Sequence, residues 1–200
     1  SDGSIDKEIN VRIGVASNAF NALNNVWRNR GICLPTKIKI YECGVITPLL
    51  YGCATWALKQ RQLQRLDGFH HNCLRRILKV RYFDHVSNVE IRRRTGCCSL
   101  GITIRYARLL YFGHVARMPN ERFPKYLLDW TPTHGSRSVG RPRHNLLKTI
   151  EDDLEMFLGD GCDLELGKCC AADRSKWRHL LKSATSSLSS REQADSSSDD

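Results

Sequence analysis

Residues 61–80, RQLQRLDGFHHNCLRRILKV, decide the fold class of this 200-residue chain. Side chains suited to a core recur in this stretch at steps of three and four, so they share one side of a helix. They are Leu63, Leu66, His70, Cys73, Leu74 and Ile77. The opposite side carries Arg61, Arg65, Asn72, Arg76 and Lys79. This pattern predicts a helix over residues 61–80 with one buried face and one basic face in solvent.

The same periodicity extends over most of the chain. It predicts a first helix over residues 4–29 that Gly31 ends, and a second from Pro35 with a kink or break at Pro48. Ser87 and Glu90 form a capping box for a short helix that Gly96 closes, and a fifth helix stops at Pro119. Two later helices are predicted from the apolar residues Leu147, Ile150, Leu154, Phe157, Ala171, Trp177 and Leu180. Strand signals are weak throughout, so the predicted fold class is all-α.

Composition divides the chain into four segments. Residues 131–143 are rich in Pro, Gly, Ser, Thr and Arg, which is typical of a linker. We therefore predict a helical domain over residues 1–130, a basic flexible linker over 131–145, a small helical C-terminal sub-domain over 146–182 and a disordered Ser/Asp-rich tail over 183–200.

Positive charge is concentrated in one block. Residues 59–122 hold fourteen Lys and Arg against four Asp and Glu, within a chain of net charge +10. Such a surplus favours a polyanionic partner, because Lys and Arg that neutralise phosphates release condensed counterions. A solvated basic surface with no partner is the alternative. The candidate nucleic-acid-binding residues are Arg61, Arg65, Arg75, Arg76, Lys79, Arg92, Arg93, Arg94, Arg105, Arg108, Arg117, Arg141 and Arg143.

Cysteine usage and hydropathy indicate the compartment. Nine cysteines at irregular spacing do not suggest a disulfide framework, so we expect a reducing compartment, nuclear or cytoplasmic. No run of eighteen apolar residues occurs, so no membrane association is predicted.

Several segments together resemble a known family. They are SDGSIDKEINVRIGVASNAF (residues 1–20), LPTKIKIYECGVITPLLYGCATW (34–56), CLRRIL (73–78), RLLYFGHVARMP (108–119), GRPRHNLLKTIEDDL (140–154) and WRHLL (177–181). In this order and spacing they resemble the C-terminal region of reverse transcriptases encoded by non-LTR (LINE-type) retrotransposons. Tyr111 stands where the family usually has Trp, Leu146 replaces an aromatic residue, and Cys53-Ala54 replaces a polar-acidic pair. These changes largely preserve bulk, so we expect the fold to survive them better than full activity.

The resemblance implies a role after the polymerase palm. The chain would begin downstream of the palm aspartates that hold Mg²⁺ in the parent RNA-directed DNA polymerase, with residues 1–130 as a thumb-like domain. Implied partners are RNA, an RNA–DNA or DNA duplex, and the palm domain of the parent protein. We therefore expect the chain alone to be inactive as a polymerase and to need no cofactor. A protein-interaction module and an inactive retroelement remnant are the alternatives, and steep salt dependence of binding would distinguish the first reading from a helix-in-groove contact.

Adjacent carboxylates are the first candidates for residual catalysis. A polymerase needs carboxylates around two metal ions, and the adjacent pairs here are Asp152 with Asp153 and Asp199 with Asp200. The first pair lies in a helical pattern, where successive residues diverge, so we interpret it as part of a solvated acidic face. The second pair lies in the predicted tail. No catalytic residue is assigned.

Metal binding is the next possibility. His70 and Cys73 could share a metal with Cys97 or Cys98, whereas the spacing of Cys169, Cys170 and His179 does not suit zinc. Buried free cysteines are the favoured interpretation, and no metal site is assigned.

Two further motifs have a functional and a structural interpretation. Gly140-Arg141-Pro142-Arg143 is similar to the core of an AT-hook, but Val139 stands where a basic residue belongs, so a linker with Asn145 capping the next helix is favoured. His114, which follows Gly113, is interpreted as a hydrogen-bonded core histidine.

Overall fold

The computed structural model describes residues 5–130 and 145–194, and within those ranges the regular structure is helical, with no strand. The predicted all-α class is confirmed. The α-helices are α1 (Asp6–Ala22), α2 (Asn24–Arg28), α3 (Leu34–Tyr41), α4 (Thr47–Leu49), α5 (Gln60–Leu78), α6 (Asn88–Thr95), α7 (Leu100–Ala116), α8 (Phe123–Asp129), α9 (Leu146–Leu158), α10 (Leu164–Ala171) and α11 (Arg174–Ala194). None of the helices in these ranges has both the length and the apolar character needed to cross a bilayer.

The chain divides into two compact units. One consists of Ser1–Ile104 with Ser189–Asp200, and the other of Arg105–Leu188. The boundary of these units lies between Ile104 and Arg105, where side chains of α7 pack and pair with α9 and α11. The linker predicted over residues 131–145 falls almost entirely on residues 131–144, which lie outside the described ranges, so the domain division stays a prediction.

The core of the first unit joins α1, α3 and α5. Ile9, Phe20, Tyr41 and Leu66 are among its fully buried side chains. The helix predicted over residues 4–29 is interrupted at Leu23, between α1 and α2. The interruption lets Trp27 fold back, because its ring stacks on Phe20 at 5.0 Å and its Nε1 donates to the carbonyl oxygen of Phe20 at 2.8 Å.

The predicted break near Pro48 is present. After α3 the chain forms a π-helical turn, Glu42–Ile46, and Pro48 then lies in the first turn of α4. A proline in a helix interior lacks an N–H donor and clashes with the preceding turn, whereas the first turn tolerates both features.

Local capping signals also agree with the structure. The Ser87 hydroxyl accepts from the Glu90 amide at 3.2 Å, and Gly96 ends α6 with φ of 69°. Asn145 Oδ1 accepts from the Lys148 amide at 2.8 Å and so caps α9 as predicted.

The core of the second unit depends on two close approaches to glycine. A Cβ atom on Gly113 of α7 would lie 2.4 Å from Nε1 of Trp177, and one on Gly167 of α10 would lie 2.7 Å from Leu154. Trp177 Nε1 donates to the Leu109 carbonyl oxygen at 3.1 Å, which fixes the ring against the α7 backbone. Because glycine has no Cβ, α11 can approach α7 this closely.

The tail is helical further than predicted. Disorder was expected from residue 183, but α11 continues to Ala194, and residues 195–200 lie outside the described ranges. The hydroxyls of Thr185 and Ser186 bond to the carbonyl oxygens of Leu181 and Lys182, so these polar side chains find partners within the helix. Helix α8 was not predicted from the sequence. The last predicted helix, which held Ala171, Trp177 and Leu180, is divided between α10 and α11.

Candidate nucleic-acid interface

The strongest basic surface lies on α5. Arg61, Arg65, Arg76 and Lys79 are exposed, whereas Leu66, His70, Leu74 and Ile77 on the other side are buried. We call Arg61, Arg65, Arg76 and Lys79 the α5 basic face. Lys79 ends the helix with a left-handed φ of 60°. The two-sided character that the sequence predicts for this helix is confirmed.

Two arginines of the α5 basic face are held by α1. Arg65 bonds to the Asn10 side chain and lies 3.6 Å from Asp6. Arg76 donates to Asn21 Oδ1 at 3.2 Å, and its guanidinium lies 4.7 Å from the ring centre of Phe20. Asparagine positions a guanidinium without neutralising it, so Arg76 keeps its charge at the surface, and Asp6 offsets that of Arg65 in part.

Two of the three arginines of α6, Arg93 and Arg94, share the carboxylate of Glu90. Glu90 accepts from Arg93 at 2.6 Å and from Arg94 at 2.7 Å. These hydrogen bonds lower the pKa of Glu90 to about 2. Arg93 and Arg94 are exposed, but they carry a smaller net charge than the RRR sequence suggests.

Arg75 and Arg92 are half-buried and hold neighbouring segments. Arg75 donates to the Val86 carbonyl oxygen and to Asn88 Oδ1, each at 2.8 Å. Arg92 Nη1 lies 3.1 Å from Nε2 of His71. Arg75 therefore holds the segment that leads into α6, and Arg92 links α6 to α5. Neither side chain belongs to the α5 basic face.

The arginines of α7 serve the core of the second unit. Asp153 of α9 is fully buried; Arg105 donates to it at 2.7 Å and Arg108 at 2.6 Å. Arg108 is itself 3% exposed. Buried charges are tolerated when they are paired and hydrogen-bonded, so this triad is a structural element. The Asp152–Asp153 pair is thus not a solvated face as a whole: Asp152 is exposed beside Lys148, but the interpretation is wrong for Asp153.

The remaining predicted positions are scattered. Arg117 is half-buried, with Nη1 donating to the Ala171 carbonyl oxygen at 2.5 Å. Arg141 and Arg143, with the whole Gly-Arg-Pro-Arg motif, lie outside the described residues, as do Asp199 and Asp200. The structure thus brings Arg61, Arg65, Arg76 and Lys79 together on one side of α5, whereas Arg105 and Arg108 pair with Asp153 inside the second unit.

Three residues of the candidate metal set, His70, Cys73 and Cys97, are buried, as is Tyr41. The Tyr41 hydroxyl and His70 Nδ1 are 2.9 Å apart. Burial lowers the pKa of His70 to about 3, and it raises the pKa of Cys73 to about 12 and that of Cys97 to about 11.

The interpretation of the cysteines as buried free thiols holds for Cys73 and Cys97 but not for Cys98 and Cys169, which are exposed. All nine lie in the described ranges and are free, and Cys73 and Cys97 are buried whereas Cys98 is exposed. Within those ranges, no group of three or more His, Cys, Asp or Glu side chains is arranged to hold a metal ion.

His114 does not lie in the core. It is exposed, whereas Gly113 before it is buried, so the interpretation as a core histidine is wrong. The buried residue of this motif is the glycine, because Trp177 occupies the space where a side chain would stand. The contact between Gly113 and Trp177 was not predicted from the sequence.

Comparison with known proteins gives one distant similarity of note. The chain is 21% identical over 182 residues to a transposon-derived protein of Caenorhabditis elegans, which covers 89% of this chain. The chain spans 65% of the length of that relative. No protein-family description matches the sequence, and no solved structure is significantly similar to it.

Proposed function

We propose that this chain is the post-palm, thumb-like part of a non-LTR retrotransposon reverse transcriptase, and that it holds RNA or a template–primer duplex on the α5 basic face. The observation that carries the proposal is the exposure of Arg61, Arg65, Arg76 and Lys79 along one side of a helix whose other side is core. The transposon-derived relative and the resemblance of the ordered motifs support the origin.

The geometry of α5 suits a phosphate backbone. At about 1.5 Å per residue, the α5 basic face spans roughly 27 Å, which is long enough to follow several phosphates. Phosphate contacts of this kind position a strand or duplex without reading its sequence, as a template holder requires. Asn21 of α1 holds Arg76 in place, so part of the face is ordered before the ligand binds.

The test removes charge without removing packing. Arg76 covers the ring of Phe20, so the variant spares it and combines Arg61→Gln, Arg65→Gln and Lys79→Gln. Affinity for a single-stranded RNA and for an RNA–DNA duplex is measured over a range of salt concentrations. If all three side chains contact phosphate, the slope of log affinity against log salt falls by about 2 to 3 units, at roughly 0.7–0.9 per contact.

The matched control removes the same charge from the second unit. Lys148→Gln, Lys168→Gln and Lys176→Gln should leave the slope nearly unchanged, because these lysines already pair with nearby carboxylates. Equal losses from both variants would mean diffuse attraction and would contradict a defined face. Absence of salt-sensitive binding by the parent chain would favour an inactive remnant.

A protein-interaction module is the second candidate, and α8 favours it. Phe123, Tyr126, Leu127 and Trp130 recur at helical spacing, and each is between 48% and 69% exposed. Such a face suits an apolar groove or a partner helix. This function predicts a protein complex whose affinity changes little with salt.

A further inference from the structure

We propose that Arg117, Arg174 and Arg178 form a phosphate-binding site in the second unit, which takes a backbone phosphate of a nucleic-acid strand. Arg174 and Arg178 are outside the residues singled out from the sequence. The site lies in the second unit, and the observations that carry it do not involve the α5 basic face.

Arg117 is fixed beside the start of α11. It follows the last residue of α7, and its Nη1 donates to the carbonyl oxygen of Ala171, the last residue of α10. Only Ala172 and Asp173 separate that carbonyl from Arg174, the first residue of α11. The hydrogen bond therefore anchors the Arg117 guanidinium at the turn from α10 to α11.

The packing of Trp177 places the first turns of α11, which carry Arg174 and Arg178, against the C-terminal half of α7. Trp177 lies against Gly113, one helical turn before Arg117, and it is held there by its bond to Leu109. Arg174 and Arg178 are four residues apart on α11 and flank Trp177, so they share a side of the helix. Both are exposed.

The charges of Arg174 and Arg178 act on Arg117. Burial, and then the charges of Arg174 and Arg178, lower the pKa of Arg117. Among the described residues, no ion pair joins any of the three to an Asp or Glu side chain. Asp173, the nearest carboxylate in sequence, accepts instead from the amides of Ser175 and Lys176.

A phosphate group matches this arrangement. A guanidinium group can donate two parallel hydrogen bonds to two phosphate oxygens. A phosphate bound between the arginines is attracted by each of them and offsets their mutual repulsion. The first amides of α11 are already occupied by Asp173, so the binding groups are the guanidiniums and not the helix N-terminus. Backbone phosphate and free phosphate share this chemistry, and two measurements separate them.

The first measurement uses inorganic phosphate. Thermal unfolding of the full chain is compared in sodium phosphate and in sodium chloride at equal ionic strength and pH. Phosphate should raise the Tm of the parent chain above its value in chloride, and this rise should be lost in the Arg174→Gln/Arg178→Gln variant. In chloride the variant should be at least as stable as the parent, because Arg117 loses two like charges. An equal Tm in both salts, or an unchanged phosphate effect in the variant, would overturn the site.

The second measurement uses a single-stranded RNA. Loss of the two contacts should lower the slope of log affinity against log salt by about 1.4 units, at roughly 0.7 per contact. The control, Lys148→Gln with Lys176→Gln, removes equal charge from the same unit and should leave the slope unchanged. An unchanged slope in the arginine variant would overturn the nucleic-acid assignment, even with a phosphate effect on Tm. Because the α5 variant is measured separately, failure of either surface leaves the other proposal standing.

Discussion

Asp153 of α9 accepts a hydrogen bond of 2.6 Å from Nε of Arg108 of α7, and their side chains are 0% and 4% exposed. Arg105 completes the triad from the same helix. Trp177 of α11 packs on Gly113 in the same unit. The segments RLLYFGHVARMP, TIEDDL and WRHLL, which contribute to the resemblance, therefore meet in one core.

Because Asp153 is buried against Arg108 and Asp152 is exposed, we expect substitutions at these two aspartates to change stability by very different amounts. Asp153→Asn leaves Arg108 buried with a weakened partner, and we expect a loss of about 3–5 kcal/mol in the free energy of unfolding, as is typical when one member of a buried ion pair is removed. Asp152→Asn is the matched control and should change stability by less than about 0.5 kcal/mol, because Asp152 is exposed. Urea denaturation measures both, and similar values for the two variants would contradict the buried triad.

The contact between Gly113 and Trp177 predicts that even alanine is too large. A Cβ at Gly113 would lie 2.4 Å from a ring that is 1% exposed and hydrogen-bonded to Leu109, so the ring cannot retreat freely. We expect Gly113→Ala to lower stability by about 1–3 kcal/mol.

Gly68 of α5 provides the comparison for that substitution. A Cβ there meets nothing within 4 Å, so Gly68→Ala should be neutral or stabilising by up to about 1 kcal/mol. A thermal unfolding curve for each variant decides the matter, and a stabilising Gly113→Ala would show that α11 does not pack this closely.

The buried histidine predicts a loss of stability in mild acid. The pKa of His70 falls from 6.5 to about 3 in the folded chain, so the unfolded chain takes up the proton first as pH falls below 6.5. The free energy of unfolding should therefore decrease from about pH 6.5 downward, by up to about 1.4 kcal/mol per pH unit for this proton. The pKa of His71 is lowered in the same direction, by burial and then by Arg92, and adds to the effect.

A stability profile between pH 7 and pH 5 isolates this contribution from the carboxylates. His70→Gln should flatten the profile while lowering stability at pH 7, because a glutamine cannot take up the proton. The exposed His114→Gln should leave the profile unchanged. A profile as steep in His70→Gln as in the parent would mean that other groups control the acid response.

The cysteines predict two classes of thiol. Cys33, Cys43, Cys98 and Cys169 are exposed, whereas Cys53, Cys73, Cys97 and Cys162 are buried. With a thiol reagent in native buffer, the exposed set should react quickly and the buried set only on unfolding, because burial also raises the pKa of Cys73, Cys97 and Cys162. A metal chelator should change neither the reaction course nor the circular dichroism. Unfolding on chelation would instead indicate a metal bound through these side chains.

The sequence by itself determined the features that depend on neighbours along the chain. Helix periodicity, the Ser87 and Asn145 caps, the irregular turn before Pro48, the end of α6 at Gly96 and the two sides of α5 all follow from spacing and from backbone chemistry within a few residues. The breaks at Leu23 and between α10 and α11 were less visible, because packing by Trp27 and Trp177 contributes to them.

Tertiary structure alone decided which charged residues face solvent. Arg65 and Arg108 look alike in the sequence, but Arg108 meets Asp153, which lies 45 residues away, whereas Arg65 reaches the polar edge of α1. Asp152 and Asp153 differ for the same reason, since adjacent residues point to different sides of a helix. Trp177 can pack against α7 because Gly113 has no side chain, and those two residues are 64 positions apart in the sequence. The sequence does not show which distant residue a charged side chain will meet. That partner determines whether the charge stabilises the core or remains at the surface to bind a ligand.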